Sequence, residues 1–186
     1  KVTARVYGTG SWATGGNMNT ASGDQSGFGL QTAAIAAGGT TGAGNYNNHS
    51  ELYNGASWTE LAAMNTPRRS ASGFGASTAG VNASGQTTGG GVTANVENWN
   101  GSAWTEIADV NTGGRGLSAS ASGTATAAIV FFRHSTQTIT ESWDGSSWTE
   151  VNDANTGRFL TGGAGIQTAA IAMGGDTAGG GGPGVN

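Results

Sequence analysis

Four short segments of the chain share one pattern: an aromatic residue, a turn that contains glycine, and a tryptophan five positions after the first aromatic residue. They read Tyr7-Gly-Thr-Gly-Ser-Trp12, Tyr53-Asn-Gly-Ala-Ser-Trp58, Trp99-Asn-Gly-Ser-Ala-Trp104 and Trp143-Asp-Gly-Ser-Ser-Trp148. Successive tryptophans are separated by 46, 46 and 44 residues. A fixed period of roughly 40–50 residues indicates a repeat architecture in which each repeat is one supersecondary unit.

Two further motifs recur in phase with this pattern. The first is an Asn-Thr pair that begins seven residues after each tryptophan, at Asn19-Thr20, Asn65-Thr66, Asn111-Thr112 and Asn155-Thr156. The second is a run of small and apolar residues, which ends in paired glycines at Gly38-Gly39 in the first copy and Gly174-Gly175 in the last. The middle two copies of this run, at 77–85 and 126–132, are less regular.

Each repeat can be divided into four β-strands, A to D. Strand A is rich in glycine, serine and alanine, and we place it at about 22–28, 68–74, 115–121 and 158–164. Strand B is the apolar run, strand C the Glu-x-aromatic piece, and strand D begins at the repeated tryptophan. Asn-Gly and Asp-Gly turns between C and D predict tight hairpins. Antiparallel units of four strands at this period are typical of β-propeller blades.

The strands predict a single all-β domain over residues 1–186, a four-bladed propeller. The blades are expected at about 22–63, 68–109, 115–153 and 158–178 plus 2–15. The chain opens with C–D material and closes with A–B material, so the fourth blade has to be assembled from both ends. Such closure satisfies strand edges that would otherwise be unpaired. Trp12, Trp58, Trp104 and Trp148 are expected to fill the gaps between blades. The alternative is that the chain is a slice of a longer propeller.

Composition excludes several classes of protein. The chain of 186 residues has 36 Gly but no three-residue glycine period, which excludes collagen. Six Trp among few charges argue against disorder. Seven Lys+Arg against 11 Asp+Glu leave no basic stripe for nucleic acid. The absence of Cys excludes disulfides and thiol catalysis, and no apolar run is long enough for membrane insertion. We expect no cofactor.

The repeat resembles the kelch repeat. The resemblance lies in the order Gly-Gly, variable loop, Glu-x-aromatic, tryptophan, and then Met-Asn-Thr-Pro-Arg at residues 64–68. The chain departs from that pattern at Ser84-Gly85 and Phe131-Phe132, where Gly-Gly is expected, and at Trp99 and Trp143, where Tyr is expected. The motifs Asn-Gly-x-x-Trp-Thr-Glu and Gln-Thr-Ala-Ala-Ile-Ala-x-Gly-Gly are also similar to those of kelch-like repeats in structural proteins of marine bacteriophages. That resemblance implies a virion or extracellular location.

Candidate binding residues lie in the loops between strands. The B–C loops differ most between copies, and variable loops on a rigid frame often carry binding specificity. Planar amides with an aromatic ring suit sugar hydroxyls. The arginines of the D–A loops are expected to converge on one rim. The candidates are Tyr46, Asn47, Asn48, His49, Arg133 and His134 in the B–C loops, and Arg68, Arg69, Arg115 and Arg158 in the D–A loops.

No catalytic or metal-binding set is predicted. The two histidines, His49 and His134, fall in different blades, and no cysteine can assist them. Most acidic residues occupy repeat-equivalent positions, notably Glu51, Glu97 and Glu141. An acid that recurs in every blade is expected to be structural.

These features predict a non-enzymatic structural or attachment module, such as a virion decoration protein, a tail fibre or another extracellular adhesion or assembly protein. Its partners would be other structural proteins or copies of itself. The alternative is a carbohydrate-binding, lectin-like propeller whose partners are surface glycans. A glycan hydrolase is a more remote alternative.

Overall fold

The computed structural model describes residues 14–42, 44–120, 123–133, 137–158 and 160–177. Regular structure in this part of the chain consists of β-strands alone. The strands are β1 (Ser26–Leu30), β2 (Ala33–Ala37), β3 (Ser50–Tyr53), β4 (Trp58–Glu60), β5 (Ser72–Ala76), β6 (Ala79–Ala83), β7 (Val96–Trp99), β8 (Trp104–Ile107), β9 (Ser118–Ala119), β10 (Ala128–Arg133), β11 (Gln137–Trp143), β12 (Trp148–Val151), β13 (Gly162–Ile166) and β14 (Ala169–Met173).

The described strands form three four-stranded sheets and one two-stranded sheet. Each larger sheet is an antiparallel meander in chain order: β1-β2-β3-β4, β5-β6-β7-β8 and β9-β10-β11-β12. The smaller sheet pairs β13 with β14. The all-β prediction is confirmed, and one repeat forming one antiparallel sheet is consistent with a β-propeller.

The turns between the third and fourth strands of each sheet follow the sequence signal. Gly55, Gly101 and Gly145 have φ values of +94°, +96° and +96°, a region that favours glycine. In the first turn, the Asn54 side-chain oxygen accepts hydrogen bonds from the backbone N–H groups of Ala56 and Ser57. The Asn/Asp-Gly pair therefore fixes both the shape of the turn and its internal hydrogen bonds.

The first strand of each sheet begins about four residues later than the sequence predicts. Expected at 22–28, 68–74, 115–121 and 158–164, these strands begin at residues 26, 72, 118 and 162, and β9 has only two residues. The reason is a residue in the left-handed region shortly before each strand, which interrupts the ladder. In the first two sheets it separates the strand from an isolated bridge, Gly23 with Thr40 and Arg69 with Gln86. These residues are Asp24, Ser70, Gly116 and Leu160, with φ of 55°, 51°, 63° and 55°.

Aromatic residues fill the spaces between the complete sheets. The Trp104 ring lies edge-on against Phe28 of the preceding sheet, with ring centroids 6.2 Å apart. Trp148 stands in the same relation to Phe74, at 6.3 Å. Each buried indole removes ~150–250 Å² from water, which is worth about 4–6 kcal/mol before the entropic cost. As predicted, the repeated tryptophans on β8 and β12 pack one sheet onto the next.

The two-stranded sheet is uncovered within the described residues. Ile171 and Met173 on β14 are 57% and 51% exposed. Their repeat equivalents in the first sheet, Ile35 and Ala37, are each 1% exposed. The residues predicted to cover this sheet, 2–15 with Trp12, lie outside the described part of the chain except for Thr14 and Gly15.

The first strands of all four sheets border one cavity, and we call the direction along these strands the axis. This cavity of about 340 Å³ is lined by residues from or beside the first strand of every sheet, including Ser26, Ser72, Ser118 and Gly163. These side chains are small or absent, so the four strands can approach one another closely. The B–C and D–A loops lie at one end of this axis, and we call that end the loop face.

Candidate functional site

A buried carboxylate connects each complete sheet to the loop that precedes it. Both its oxygens accept hydrogen bonds from the Asn-Thr pair: the two backbone N–H groups and the Asn side-chain amide, at donor–acceptor distances of 2.7–3.1 Å. The same amide donates to the backbone carbonyl of the tryptophan on the fourth strand. The sets are Asn19-Thr20 with Glu51 and Trp58, Asn65-Thr66 with Glu97 and Trp104, and Asn111-Thr112 with Glu141 and Trp148.

These three carboxylates are 2%, 0% and 0% exposed. Charge-assisted hydrogen bonds from backbone N–H groups compensate for the desolvation of a buried carboxylate. We call each set an Asn-Thr-Glu staple. The staples bear out the structural interpretation of the repeated glutamates.

Arg68 lies inside the protein, beside the second staple. Its Nη2 donates to Glu97 Oε1 at 2.5 Å, and neither side chain is exposed. Its Nε donates to the backbone carbonyl of Thr66, and its Nη1 donates to those of Ser84 and Asn95. Burial lowers the pKa of Arg68, and the charge of Glu97 opposes that shift. The guanidinium is therefore enclosed by the fold and does not face solvent on the rim, where the sequence interpretation placed it.

The polar residues of the first B–C loop are engaged within the protein. Asn47 donates from its side chain to Ser22 Oγ at 2.8 Å, and Asn48 to the Met64 carbonyl at 2.7 Å. His49 is exposed, with Nδ1 3.7 Å from a carboxylate oxygen of Glu60. The two asparagines therefore hold the loop against its neighbours.

Gln86 is the centre of a polar cluster on the loop face. Its side-chain oxygen accepts from Arg69 Nε and Nη2 at 3.0 and 2.9 Å, from Arg115 Nη1 at 2.8 Å and from Tyr46 OH at 3.2 Å. Its side-chain nitrogen donates to the Gly90 carbonyl at 2.8 Å, which turns the oxygen towards the arginines. We call Gln86, Tyr46, Arg69 and Arg115 the glutamine hub.

The fold positions the hub by bringing together loops of three repeats. Arg69 lies between the first and second sheets, and Arg115 between the second and third. Gln86 pairs with Arg69 through two backbone hydrogen bonds, of 2.9 and 3.0 Å, in an isolated β-bridge. It is 5% exposed, so its oxygen is held rigidly below the surface.

The electrostatics of the hub are unusual because two guanidinium groups converge on an oxygen without formal charge. Arg69 also forms an ion pair with Asp24 at 3.0 Å, in which the side chains are 29% and 51% exposed. The Arg69 guanidinium lies 5.0 Å from the centre of the Tyr46 ring, a cation–π contact. Two positive charges thus lie together at a partly exposed place on an otherwise acidic protein.

The other candidates lie away from the hub. Arg158 donates to the Gly174 carbonyl at 3.2 Å, beside the two-stranded sheet. The backbone of Arg133 ends β10, and His134 lies outside the described residues. Gly39, Gly174 and Gly175 have positive φ values. Gly38 does as well, at 69°, and a Cβ atom on it would lie 2.5 Å from the Arg68 carbonyl oxygen.

Two cavities open at the ends of the axis. The one on the loop face measures about 280 Å³ and is lined by residues that include Asp24, Leu117 and Leu160. The one at the opposite end measures about 600 Å³ and is lined mainly by small residues with Leu30. Among the described residues, no three His, Cys, Asp or Glu side chains are placed to hold a metal ion. Nor does that part of the chain contain a helix able to cross a membrane.

Sequence reasoning named three members of the hub but missed Gln86. The available signal was its position directly after Ser84-Gly85, where the Gly-Gly motif is altered, in a loop adjacent to Arg69. The equivalent residues of the first and last copies are Thr40 and Asp176, neither of which has a carboxamide. Nothing in the sequence shows that both arginines reach one side chain.

No protein-family model matches the chain, and no curated protein matches it. Among solved structures, 132 chains are similar in fold. One of them, "Structure of YjhT", gives a TM-score of 0.70 at 14% sequence identity. The match covers 84% of this chain and 62% of that one, so the chain spans less than two thirds of the length of YjhT. At this identity the chain shares a fold with YjhT, and the likeness extends no further than the fold.

Proposed function

We propose that the chain is a four-bladed, kelch-like propeller, closed by residues 2–15, and that it serves as a non-enzymatic structural or attachment module. Closure is supported by two surfaces whose apolar side chains are incompletely buried and which would face each other in a closed ring. On one side, Ile171 and Met173 are exposed on β14. On the other side, Trp58 is only partly buried, whereas its equivalents Trp104 and Trp148 are 6% and 7% exposed.

The repeat fixes the register of the proposed pairing. In the first sheet, Ala34 lies opposite Tyr53 and Ile35 opposite Leu52. Transferred to the last sheet, this register places Tyr7 opposite Ala170 and Val6 opposite Ile171. The apolar side chain of Val6 would then lie beside Ile171, and the unpaired edge of β14 would be hydrogen-bonded.

A disulfide cross-link tests the closure. The chain has no Cys, so Tyr7→Cys with Ala170→Cys introduces the only two thiols. Residues directly opposite in antiparallel strands have Cβ atoms about 4.5–5.5 Å apart, close enough for oxidation to join them after a small adjustment. We expect an intramolecular disulfide, detected by mass spectrometry of non-reduced peptides.

Ala34→Cys with Tyr53→Cys is the matched positive control, because the structure pairs these residues. Tyr7→Cys with Thr105→Cys is the negative control, since Thr105 lies exposed on the second sheet. Cross-links between different molecules would contradict self-closure, as would failure of the test pair when the positive control forms.

The attachment role is carried by the loop face. Arg69 and Tyr46 are partly exposed on this face. Val92 is exposed beside them, in a β-bridge with Gln86. Arginine and tyrosine with apolar neighbours are typical of protein–protein interfaces. The repeated glutamates, by contrast, are used as acceptors inside the fold.

The partners in this proposal are other structural proteins or copies of the same chain, on a virion or another extracellular assembly. The proposed location is supported by the similarity of the repeat sequence to that of kelch-like repeats in structural proteins of marine bacteriophages. Immunogold electron microscopy of purified particles and filaments tests it, and labelling at regular positions is expected. A glycan array is the companion measurement. Specific glycan binding without particle labelling would favour the lectin-like alternative, whose candidate amides at Asn47 and Asn48 are bonded internally.

A further inference from the structure

We infer that the turns at Asn54-Gly55 and Asn100-Gly101 are sites of spontaneous deamidation, in which the chain supplies the nucleophile and water is the co-reactant. This inference is independent of the proposed attachment role. The sequence contains two Asn-Gly pairs and one Asp-Gly pair. Each of the three pairs forms the turn between the third and fourth strands of a sheet.

The reaction replaces the side-chain amide of asparagine by a carboxylate in two steps. In the first step, the backbone nitrogen of the following glycine attacks the asparagine Cγ atom. A new N–C bond forms, and the bond between Cγ and Nδ2 breaks. The proton of the glycine N–H ends on the departing nitrogen, which leaves as ammonia, and a cyclic succinimide remains. In the second step, water opens the ring at either carbonyl and gives aspartate or isoaspartate.

The attacking and leaving groups are both free in these two turns. Asn54 and Asn100 are exposed, and their side-chain nitrogens donate no hydrogen bond within the described residues. In that part of the chain, the backbone N–H groups of Gly55 and Gly101 likewise have no acceptor. The attacking nitrogen can therefore lose its proton to solvent, and no hydrogen bond holds the leaving amide.

The side-chain oxygen of each asparagine is the atom on which negative charge develops during the attack. Asn54 Oδ1 accepts hydrogen bonds from the backbone N–H groups of the two residues that follow Gly55, at 3.0 and 2.9 Å. Asn100 Oδ1 has the equivalent two bonds, both of 3.0 Å, and also accepts from Ser102 Oγ at 2.9 Å. Donors that already point at such an oxygen stabilise the transition state. The bonds that shape the turn therefore also promote its modification.

Asp144 shows how the turn accommodates the product. Its carboxylate occupies the same position and accepts hydrogen bonds from the backbone N–H groups of Ser146 and Ser147, each at 2.8 Å, and from both hydroxyl groups. A carboxylate is a stronger acceptor than an amide oxygen. An aspartate product therefore keeps the turn, whereas isoaspartate lengthens the main chain by routing it through the side-chain methylene group.

The asparagines of the staples lack this freedom. Asn65 is also exposed, but its Nδ2 donates to Glu97 and to the Trp104 carbonyl, at 2.9 and 3.3 Å. The backbone N–H of Thr66, which would be the nucleophile, donates to Glu97 at 3.1 Å. These bonds must break before the reaction can begin. The fold therefore leaves the turn asparagines reactive and protects the staple asparagines.

The test follows the full chain during incubation in mildly alkaline buffer, with the urea-unfolded chain as the reference. Peptide mapping by liquid chromatography and mass spectrometry quantifies deamidation at each position and separates aspartate from isoaspartate. We expect both products at Asn54 and Asn100. Because the fold leaves their reacting groups free, folding should slow these two positions by no more than about threefold.

Thr66→Gly is the matched control, because it places a third Asn-Gly pair inside a staple. In the folded variant, Asn65 should deamidate at least about tenfold more slowly than Asn100, since its hydrogen bonds must first be broken. In urea the three pairs should react at similar rates. Asn100→Asp, which reproduces the product, should have a thermal midpoint at neutral pH no lower than that of the wild type.

Three results would overturn the inference: rates at Asn54 and Asn100 that fall more than about threefold on folding, a staple Asn-Gly pair that reacts as fast as the turns, or a lower thermal midpoint for Asn100→Asp. If Thr66→Gly does not fold, the comparison of folded and urea-unfolded wild-type protein still decides the question.

Discussion

Glu97 differs from its two repeat equivalents in one respect. All three glutamates accept hydrogen bonds from an Asn-Thr pair, but Glu97 also neutralises the buried Arg68. The position of Arg68 is occupied by Ser22 in the first copy and Gly114 in the third. The same motif therefore includes a buried ion pair with Arg68 in the second sheet, and neither of the other two copies has an arginine at that position.

Glu97→Gln should destabilise the protein more than Glu51→Gln does. Removing one member of a buried ion pair costs about 3–5 kcal/mol, because the other charge is left uncompensated. Loss of charge at Glu51 weakens hydrogen bonds that are each worth about 1.5–3 kcal/mol. Urea denaturation of both variants measures the difference, with Glu150→Gln, an exposed residue of β12, as the control. Equal destabilisation by the first two variants would contradict a special role for Arg68.

Asp144 takes the place that asparagine has in the other described C–D turns. Its carboxylate accepts hydrogen bonds from the backbone N–H groups of Ser147 and Ser146 and from both hydroxyl groups. These bonds, with the Ser147 backbone foremost, hold the pKa of Asp144 well below its usual range. Asn54 and Asn100 cap the same turn without a titratable group.

Asp144→Asn should therefore change the response of the protein to acid. Because the folded-state pKa is depressed, the contribution of the carboxylate is complete above the unfolded-state pKa of about 3.9 and is lost as the pH falls below it. At pH 7 the wild-type protein should have the higher thermal midpoint, and this advantage should vanish in strong acid. Thermal denaturation at several pH values checks this. A difference independent of pH would show that the Asp144 charge is immaterial.

At the scale of elements, adjacent sheets fit together by pairing large residues with small ones. The Phe28 ring occupies the space above Gly80 on the next sheet, where a Cβ atom would lie 2.1 Å from a ring carbon. Gly80 thus leaves the space that the Phe28 ring of the first sheet fills.

Gly80→Ala should destabilise the protein by about 1–3 kcal/mol, as overpacking of a filled core does. The Phe28 ring cannot move away freely, because Trp104 lies against it. Gly27→Ala is the matched control: its Cβ atom would meet nothing closer than 3.6 Å. Chemical denaturation should show the control to be near neutral. If both variants behave alike, backbone flexibility rather than the Phe28 ring explains the cost.

The positions of most strands were accessible to sequence reasoning because local signals mark them. Strands β4, β8 and β12 begin at the repeated tryptophan, and the Asn/Asp-Gly turns lie where predicted. The starts of β1, β5, β9 and β13 were predicted wrongly. These strands begin later than predicted because left-handed residues such as Ser70 and Leu160 precede them. Neither residue is a glycine, so the sequence carries no signal for the left-handed conformation.

The candidate site was less accessible, because it depends on contacts between distant loops. The separation of Gln86 from Tyr46 is 40 residues and from Arg115 is 29 residues. Arg68 and Arg69 are adjacent in sequence, yet one is buried with Glu97 and the other lies on the hub. Sequence could identify the arginines as candidates but could not separate these two environments.

At the scale of the whole molecule, the proposed fourth blade would lack one staple. Asn155 and Thr156 are present, but the position equivalent to Glu51 is Arg5. If residues 2–15 complete this blade, Arg5→Glu should supply the missing acceptor and raise stability by about 1.5–3 kcal/mol. Chemical denaturation measures the gain, and Lys1→Glu is the control for the change in charge. No gain over that control would contradict the proposed closure.

The staples also relate the order of synthesis to the order of folding. Each Asn precedes its glutamate by 32, 32 and 30 residues, so the acceptor of every staple is synthesised after its donors. During synthesis, the three staples therefore become possible one after another, from the amino terminus onwards. A nascent chain that ends before Glu97 leaves the donors of Asn65 and Thr66 without their acceptor. The last loop of such a partial chain therefore presents hydrogen-bond donors to which the next sheet attaches once its glutamate has been made.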